Sequence, residues 1–386
     1  MKPVSFVAYG DIGSQPGRDI TELSRGLYRR DLLEQVYCRG IETHDLPKHL
    51  VTTPIPLGRA IPRAMTGINR YVTERFDKRY YAEQLFDTFA ARAVEETEIQ
   101  LHHTPGYLRT LRAGNSAGSR TVVKATTEYS KSFDQRMAQT YRDLGVAKTP
   151  PKMTGERSER RERTLRECDQ ILAISAFVKR SLLAAGFPAE KVSVTPLGVD
   201  ATDYQESQER DDAPFTALYV GSVTVEKGVP YLLAAWKRNQ WGKDTDARLL
   251  LCGDISSTMQ ELISQYGFEN VETPGFVDPR KYHRDASVFV FPTLSDGFGK
   301  APLEGMAAGL PVISTERTGM PDIMSDGREG FIVPAGDATA LADRLKELRE
   351  QSAVRRKMGK RALETARKQT WDKHAEAVVD ALGLSG

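Results

Sequence analysis

Residues 291–312 read FPTLSDGFGKAPLEGMAAGLPV, and this stretch restricts the fold more than any other in the chain. An apolar run ends at Pro292, and the glycine-bearing turn Asp296-Gly297-Phe298-Gly299 follows. A helical pattern then carries Leu303, Glu304, Met306, Ala307 and Ala308 before Gly309 and a second apolar run. That is a strand, a loop, a helix and a strand, the unit of an α/β sheet. Gly297 and Gly299 leave backbone N–H groups uncovered where the helix begins, and there the unpaired donors and the helix dipole both favour an anion. Asp296 and Glu304 flank that point. A carboxylate repels phosphate but accepts hydrogen bonds from sugar hydroxyls, so acids beside an anion seat point to a ligand with both a phosphate and a polyol. Taken alone, the pattern equally describes a plain strand-to-helix turn with a solvated loop acid and a helix-surface glutamate.

A chain of 386 residues is long for one domain and suits two. Its net charge of +2 and 40% apolar content describe a globular protein with no electrostatic footprint for nucleic acid. Cys38, Cys168 and Cys252 lie far apart without a CxxC or a histidine cluster, which argues for a reducing, cytoplasmic setting and against a disulfide frame or a zinc site. The opening MKPVSFVAYG is too short in apolar residues for a signal sequence. No stretch approaches the roughly 18 apolar residues of a membrane span, so any membrane contact is expected to be peripheral.

Along the chain, 4–9 is predicted as a buried strand, 10–19 as a loop with glycines at 10, 13 and 17, and a helix follows from Asp19 with Ile20, Leu23 and Leu27 on one face. This opens a doubly wound α/β domain without the G-x-G-x-x-G of a dinucleotide site, and leaves Gly13 and Gly17 as candidate ligand contacts. Between Arg59 and Arg79 the chain is locally basic, which suits either a solvated helix face or a surface meeting an anionic acceptor or anionic lipid. A strand ending at His102-His103 would place one of these histidines at the crevice where open α/β sheets bind ligands, with His103 the candidate catalytic residue; a capped loop histidine is the other reading. Tyr107, Arg109, Tyr129 and Lys131 are candidate acceptor contacts. A strand over 170–175 followed by a helix capped by Ser175 and a short strand over 191–195 complete a first domain of residues 1–205.

The polar run after Tyr204 marks a linker. A second domain, 214–370, repeats the alternation, with strands over 215–221, 248–252, 271–272, 288–291, 312–313 and 330–334. A last helix runs from Trp371 within 371–386. The expected fold class is therefore α/β, with two Rossmann-like doubly wound parallel-sheet domains facing across a cleft.

The second domain resembles, over nearly its whole length, the nucleotide-sugar-binding half of family 4 glycosyltransferases. The residues that carry the resemblance are Gly221 with Lys227-Gly228, Gly275-Phe276-Val277, Phe291-Pro292-Thr293, Asp296 through Ile313, and Gly330 through Pro334. In the first domain, Ile174-Ser175 and Val194 through Asp200 resemble the family's closing strands. The resemblance implies a GT-B fold and retaining, metal-independent transfer of a hexose from a nucleotide diphosphate sugar, without a cofactor, to a glycan, lipid-linked or other hydroxyl acceptor. It implies that Glu304 accepts the ribose hydroxyls, that Asp296 lies by the donor sugar, and that the N–H groups of Phe298, Gly299 and Lys300 hold the distal phosphate. Lys227 would neutralise the leaving diphosphate, Val277 would meet the base through its backbone, and the last helix would cross back to the first domain.

Three positions depart from the family pattern. Asp296 stands where a glutamate is usual, Ser222 where many members place an arginine beside the diphosphate, and Thr126, Thr127 and Glu128 where many carry a histidine. A sugar-nucleotide epimerase, or a sugar-nucleotide-binding subunit with a weakened site, shares the architecture and remains open at this level.

Overall fold

The computed structural model describes residues 2–14, 17–42, 45–55, 78–146, 155–207 and 213–385, with backbone alone at 78 and 79. The basic stretch from Arg59 lies outside the described residues apart from that backbone. Long apolar runs become strands buried on both faces, as parallel sheets covered by helices require. Val288, Phe289, Val290 and Phe291 are all within 3% of complete burial.

Among the described residues the first sheet has seven strands: β1 (Val4–Ile12), β2 (Leu33–Ile41), β3 (Val51–Thr52), β4 (Ile99–His102), β5 (Arg120–Ala125), β6 (Gln170–Ala173) and β7 (Val192–Val194). Their order is β3-β2-β1-β4-β5-β6-β7, and every pairing is parallel. The second sheet comprises β8 (Phe215–Val220), β9 (Ala247–Cys252), β10 (Val271–Gly275), β11 (Val288–Phe291), β12 (Val312–Thr315) and β13 (Gly330–Val333), in the order β10-β9-β8-β11-β12-β13, again parallel throughout. The chain reverses its direction of sheet growth between β1 and β4 in one sheet and between β8 and β11 in the other. Crevices open at the carboxyl ends of strands at such points. The loops leaving those four strands carry Gly13 and Gly17, His103, Lys227 and Asp296.

Four of the described α-helices start at a side-chain cap, from Ser175, Ser256, Asp337 and Thr370. Ser175 accepts the N–H of Val178 and starts the helix Ala176–Ala184, as its position predicts. The helical tail is two helices, Ala338–Glu350 and Ser352–Ala366, interrupted at Gln351. The helix Trp371–Leu382 leaves the second domain and buries Ala375, Val378, Val379 and Leu382 in one cluster with Ile20, Leu23 and Leu27 of the helix Arg18–Arg29. Arg30 and Asp372 close that contact at 2.9 Å. The helices Lys78–Ala93, Leu108–Ser116 and Ser130–Asp143 were not predicted from the sequence. None of the described helices is long and apolar enough to cross a membrane.

Candidate active site

On the second domain the site starts from two glycines. Gly228 has φ 71°, and a Cβ there would lie 1.8 Å from the carbonyl oxygen of Pro292, so only glycine lets the β8 loop press against the end of β11. That approach brings Lys227 Nζ to 2.6 Å from Asp296 Oδ2, and the ammonium also sits 5.9 Å from the centre of the Phe291 ring. The other carboxylate oxygen, Oδ1, accepts the N–H of Phe298 at 3.1 Å and of Gly299 at 2.8 Å. Burial alone would raise the Asp296 pKa, but Lys227 and these two N–H groups outweigh it and hold the carboxyl below its usual value. Lys227 shows the converse: burial favours the neutral amine, and Asp296 overrides it and raises the pKa. The helix Lys300–Ala307 begins directly behind, with Gly299 at its N-cap.

Gly297 serves a different purpose. A Cβ at this position would stand 2.0 Å from the carbonyl oxygen of Thr126 at the end of the first sheet, and its own carbonyl accepts the Ser175 hydroxyl at 2.5 Å. The glycine-bearing loop is therefore a point where the two domains touch, and Asp322 adds a bond from the Ala176 N–H at 2.7 Å.

Glu304, one turn into the helix, faces a separate small cavity of about 50 Å³ that it shares with Arg18, Gly198, Tyr204 and Lys300. Burial raises its pKa, only partly offset by Lys300 and by a hydrogen bond from the Tyr204 hydroxyl. Burial, and after it the neighbouring Glu304 carboxylate, raises the Tyr204 pKa. Asp203, the preceding residue, pairs with Arg18 at 2.5 Å.

The first domain supplies the opposite wall. His103 Nε2 lies 2.7 Å from Asp19 Oδ2, in the first turn of the helix Arg18–Arg29. Burial would raise the Asp19 pKa, but His103 keeps it far below the carboxylate range, and Lys300 and Lys124 add to this. Lys124, in β5, has no exposed surface, and burial lowers its pKa to about 8 against the pull of Asp19. Its Nζ meets His374 Nε2 at 3.3 Å, while His374 Nδ1 lies 2.8 Å from the Pro196 carbonyl oxygen. Accepting on that side, Pro196 fixes the proton on Nδ1 and leaves Nε2 to accept from the lysine. Burial first, then Lys124, lowers the His374 pKa to about 3. His102 takes no part: it is fully buried against Gln100 at 2.8 Å, and burial lowers its pKa to about 3.

One cavity of about 930 Å³ gathers most of the predicted site residues. Lys227, Asp296, Phe298, Gly299 and Lys300 line it from one side, and Gly17, Asp19, His103, Tyr107 and Thr126 from the other. Glu304 opens beside it, Lys300 belonging to both linings. Gly13 lies in the β1 loop with its N–H bonded to Thr21, and Ser222 is exposed and accepts the Tyr219 hydroxyl through its carbonyl. Neither belongs to the lining of the large cavity, nor does Val277, which packs against the core next to Phe276 at 86% exposure. Arg109, Tyr129 and Lys131 also lie outside it, and Tyr129 bonds Glu162. The sequence reading missed Asp19, Lys124, Tyr204 and His374. Only Lys124 left a signal, as a lysine inside an apolar strand. Among the described residues no group of histidine, cysteine and carboxylate side chains has the arrangement of a metal site.

Residues 17–203 match the family model described as glycosyltransferase family 4, and residues 200–365 match that of glycosyl transferases group 1. WcaL of Salmonella typhimurium, a glycosyltransferase by name assigned to colanic acid biosynthesis, is 33% identical over 198 residues, 48% of this chain and 49% of that protein. The D-inositol 3-phosphate glycosyltransferase of Paenarthrobacter aurescens is 27% identical over 325 residues, 74% of this chain and 78% of that protein. The match to WcaL thus spans about half of that relative's length. Anabaena HepE, solved with UDP and glucose, aligns with a TM-score of 0.67 at 16% identity over 99% of this chain and 100% of that one, a likeness of fold. With both halves matched in order and the two sheets facing across one cleft, the chain belongs to glycosyltransferase family 4 and has the GT-B fold.

Proposed function

We propose that the protein transfers a hexose from a nucleotide diphosphate sugar to an acceptor hydroxyl, with retention at the anomeric carbon, in the synthesis of a polysaccharide or related glycan. The observation that carries this reading is the meeting of Lys227 with the N-terminal turn of the helix Lys300–Ala307 at the β8 and β11 strand ends, in a cavity whose far wall carries Asp19, His103 and Thr126. A cation and a helix end together suit a leaving diphosphate, because they stabilise charge that develops as the glycosidic phosphate bond breaks. Glu304 is the ribose acceptor in this reading. The acceptor oxygen forms its bond to the anomeric carbon on the face the diphosphate leaves, and its proton passes to the departing phosphate oxygen. Lys227 and the helix end take the place of a metal ion, and the stretch between Arg59 and Arg79 is the candidate contact for an anionic acceptor or lipid surface. Names of relatives support the polysaccharide context, WcaL through colanic acid and AmsK of Erwinia amylovora through amylovoran. HepE, solved with UDP and glucose, supports a nucleotide-sugar donor.

The test is a panel of nucleotide sugars incubated with the protein and followed by NMR. Slow donor hydrolysis releasing the sugar first with the donor's own anomeric configuration is the expected result. Release of the opposite anomer refutes retention, formation of an epimer points to an epimerase, and binding without turnover points to a binding subunit. Activity that vanishes in EDTA and returns with Mg²⁺ or Mn²⁺ refutes the metal-independent mechanism.

A further inference from the structure

Of the four donors named for a donor phosphate, all but the Lys300 N–H converge on one carboxylate of the protein itself. Asp296 Oδ1 accepts the N–H groups of Phe298 and Gly299, and Oδ2 accepts Lys227 Nζ at 2.6 Å. Both side chains of the ion pair are 24% exposed, so the pair lies at the cavity wall within reach of a ligand. We propose that Asp296 is a built-in stand-in for the donor's distal phosphate, so that the donor binds by exchanging its own anion for this carboxylate. The inference rests on the reading of the cavity as a nucleotide diphosphate sugar site and adds a rule for what it admits.

The identity of the residue makes the arrangement possible. Aspartate is short enough to close onto the N–H groups two and three residues ahead, the turn its side chain favours locally. A glutamate is one methylene longer and loses that closure. The departure from the family's usual glutamate therefore has a physical consequence: here the phosphate seat is neutralised by the chain. A ligand displaces Asp296 only if it offers Lys227 and the two N–H groups more charge than a carboxylate does. The diphosphate of an intact donor carries about one charge on each phosphate, two in all, and the terminal phosphate of free UDP or GDP carries about −1.5 to −2 with three acceptor oxygens, against one charge and two oxygens on Asp296. The site then selects diphosphates, whose second phosphate reaches this seat, over monophosphates and over ligands of single charge. Displaced from the N–H groups, the carboxylate becomes an acceptor for hydroxyls of the arriving sugar.

The test measures binding of UDP, GDP, UMP and inorganic pyrophosphate by calorimetry to the wild type, Asp296→Asn and Asp296→Glu, each checked by circular dichroism and melting. Asparagine keeps an acceptor for the two N–H groups and removes the charge. The expected result is about tenfold tighter binding of whichever diphosphates the wild type binds, a smaller gain for UMP, and loss of sugar transfer. Asp296→Glu should give a smaller gain. Unchanged or weaker diphosphate binding in both variants overturns the proposal while leaving the donor-site reading standing. A gain as large for UMP overturns the selection rule. If neither UDP, GDP nor pyrophosphate binds any of the three proteins, the reading and the inference fall together. Should Asp296→Asn fail to fold, Asp296→Glu alone decides by the direction of its change.

Discussion

The two walls of the cleft reach the same end, charged groups held rigidly beside a cavity, by opposite routes. The second-domain wall is local: Asp296, Phe298, Gly299, Lys300 and Glu304 come from nine consecutive positions, 296–304, and one further residue, Lys227, joins them. The first-domain wall is assembled at long range. His103 meets Asp19 across 84 positions, and Lys124 meets His374 across 250. Backbone geometry fixes the first kind of wall and burial fixes the second. The local wall should fail in function when altered, and the assembled wall should fail in stability.

The sharpest test of that contrast is Lys227→Met. Removing a preorganised group that stabilises charge in a transition state costs about 100- to 1000-fold in turnover. Steady-state kinetics with the donor found in the panel should show kcat falling by that factor with a smaller change in KM. The reverse pattern, KM rising with kcat preserved, would make Lys227 a uniform binding group and remove the distinction between a wall for chemistry and a wall for stability.

On the assembled side the effect belongs to pH. Burial and Lys124 hold His374 neutral down to about pH 3, and burial does the same for His102. In the unfolded chain both protonate near pH 6.5. Between those values the unfolded state binds more protons, so folding stability is full above about pH 6.5 and falls as pH drops through the window. The slope is about 1.4 kcal/mol per pH unit for each histidine. Lys124 acts in the alkaline range with the same sign. Its folded pKa of about 8 lies below the unfolded 10.5, so its burial penalty shrinks and stability rises as pH climbs between the two. Urea denaturation at pH 7.5, 6 and 5 should show His374→Gln losing one histidine's share of the acid slope. A stability difference between variant and wild type that stays constant with pH would mean that His374 contributes packing alone.

Legibility in the sequence follows the same division. The strand β11 and the start of the helix at Trp371 were predicted to the residue, because both are marked within their own segments, and the Thr370 side chain that caps the helix lies next to it. Asp296 and Glu304 were visible as a pair because their spacing is a property of one turn of chain. Asp19 entered only as the residue where a helix begins, and His374 was not singled out at all. Nothing within several residues of either records the partner it meets. Glu304 was assigned from its own segment, yet the residue that bonds it, Tyr204, comes from the linker between the domains and was read only as the start of a polar run. Side chains whose partners lie across the fold acquire meaning only after the topology is known.

The linker is where the two kinds of wall meet, and it gives the smallest expected effect. Asp203 holds Arg18 of the first domain and Tyr204 holds Glu304 of the second, so neighbouring residues grip one side chain from each. The cavity in front of Glu304 is small, at about 50 Å³. A ribose reaches Glu304 only if the Tyr204 hydroxyl gives way. Tyr204→Phe removes that hydrogen bond at a cost of about 1 kcal/mol in folding stability. Because the donor no longer has to break it, UDP or GDP should bind up to about fivefold more tightly, the same energy seen from the ligand's side. Glu304→Ala, which removes the acceptor itself, should weaken the same ligands instead. If calorimetry shows Tyr204→Phe weakening them too, Tyr204 is a third contact of the ribose seat and not its competitor. The linker would then belong to the local wall, and the division between the two would run through residue 204, not between the domains.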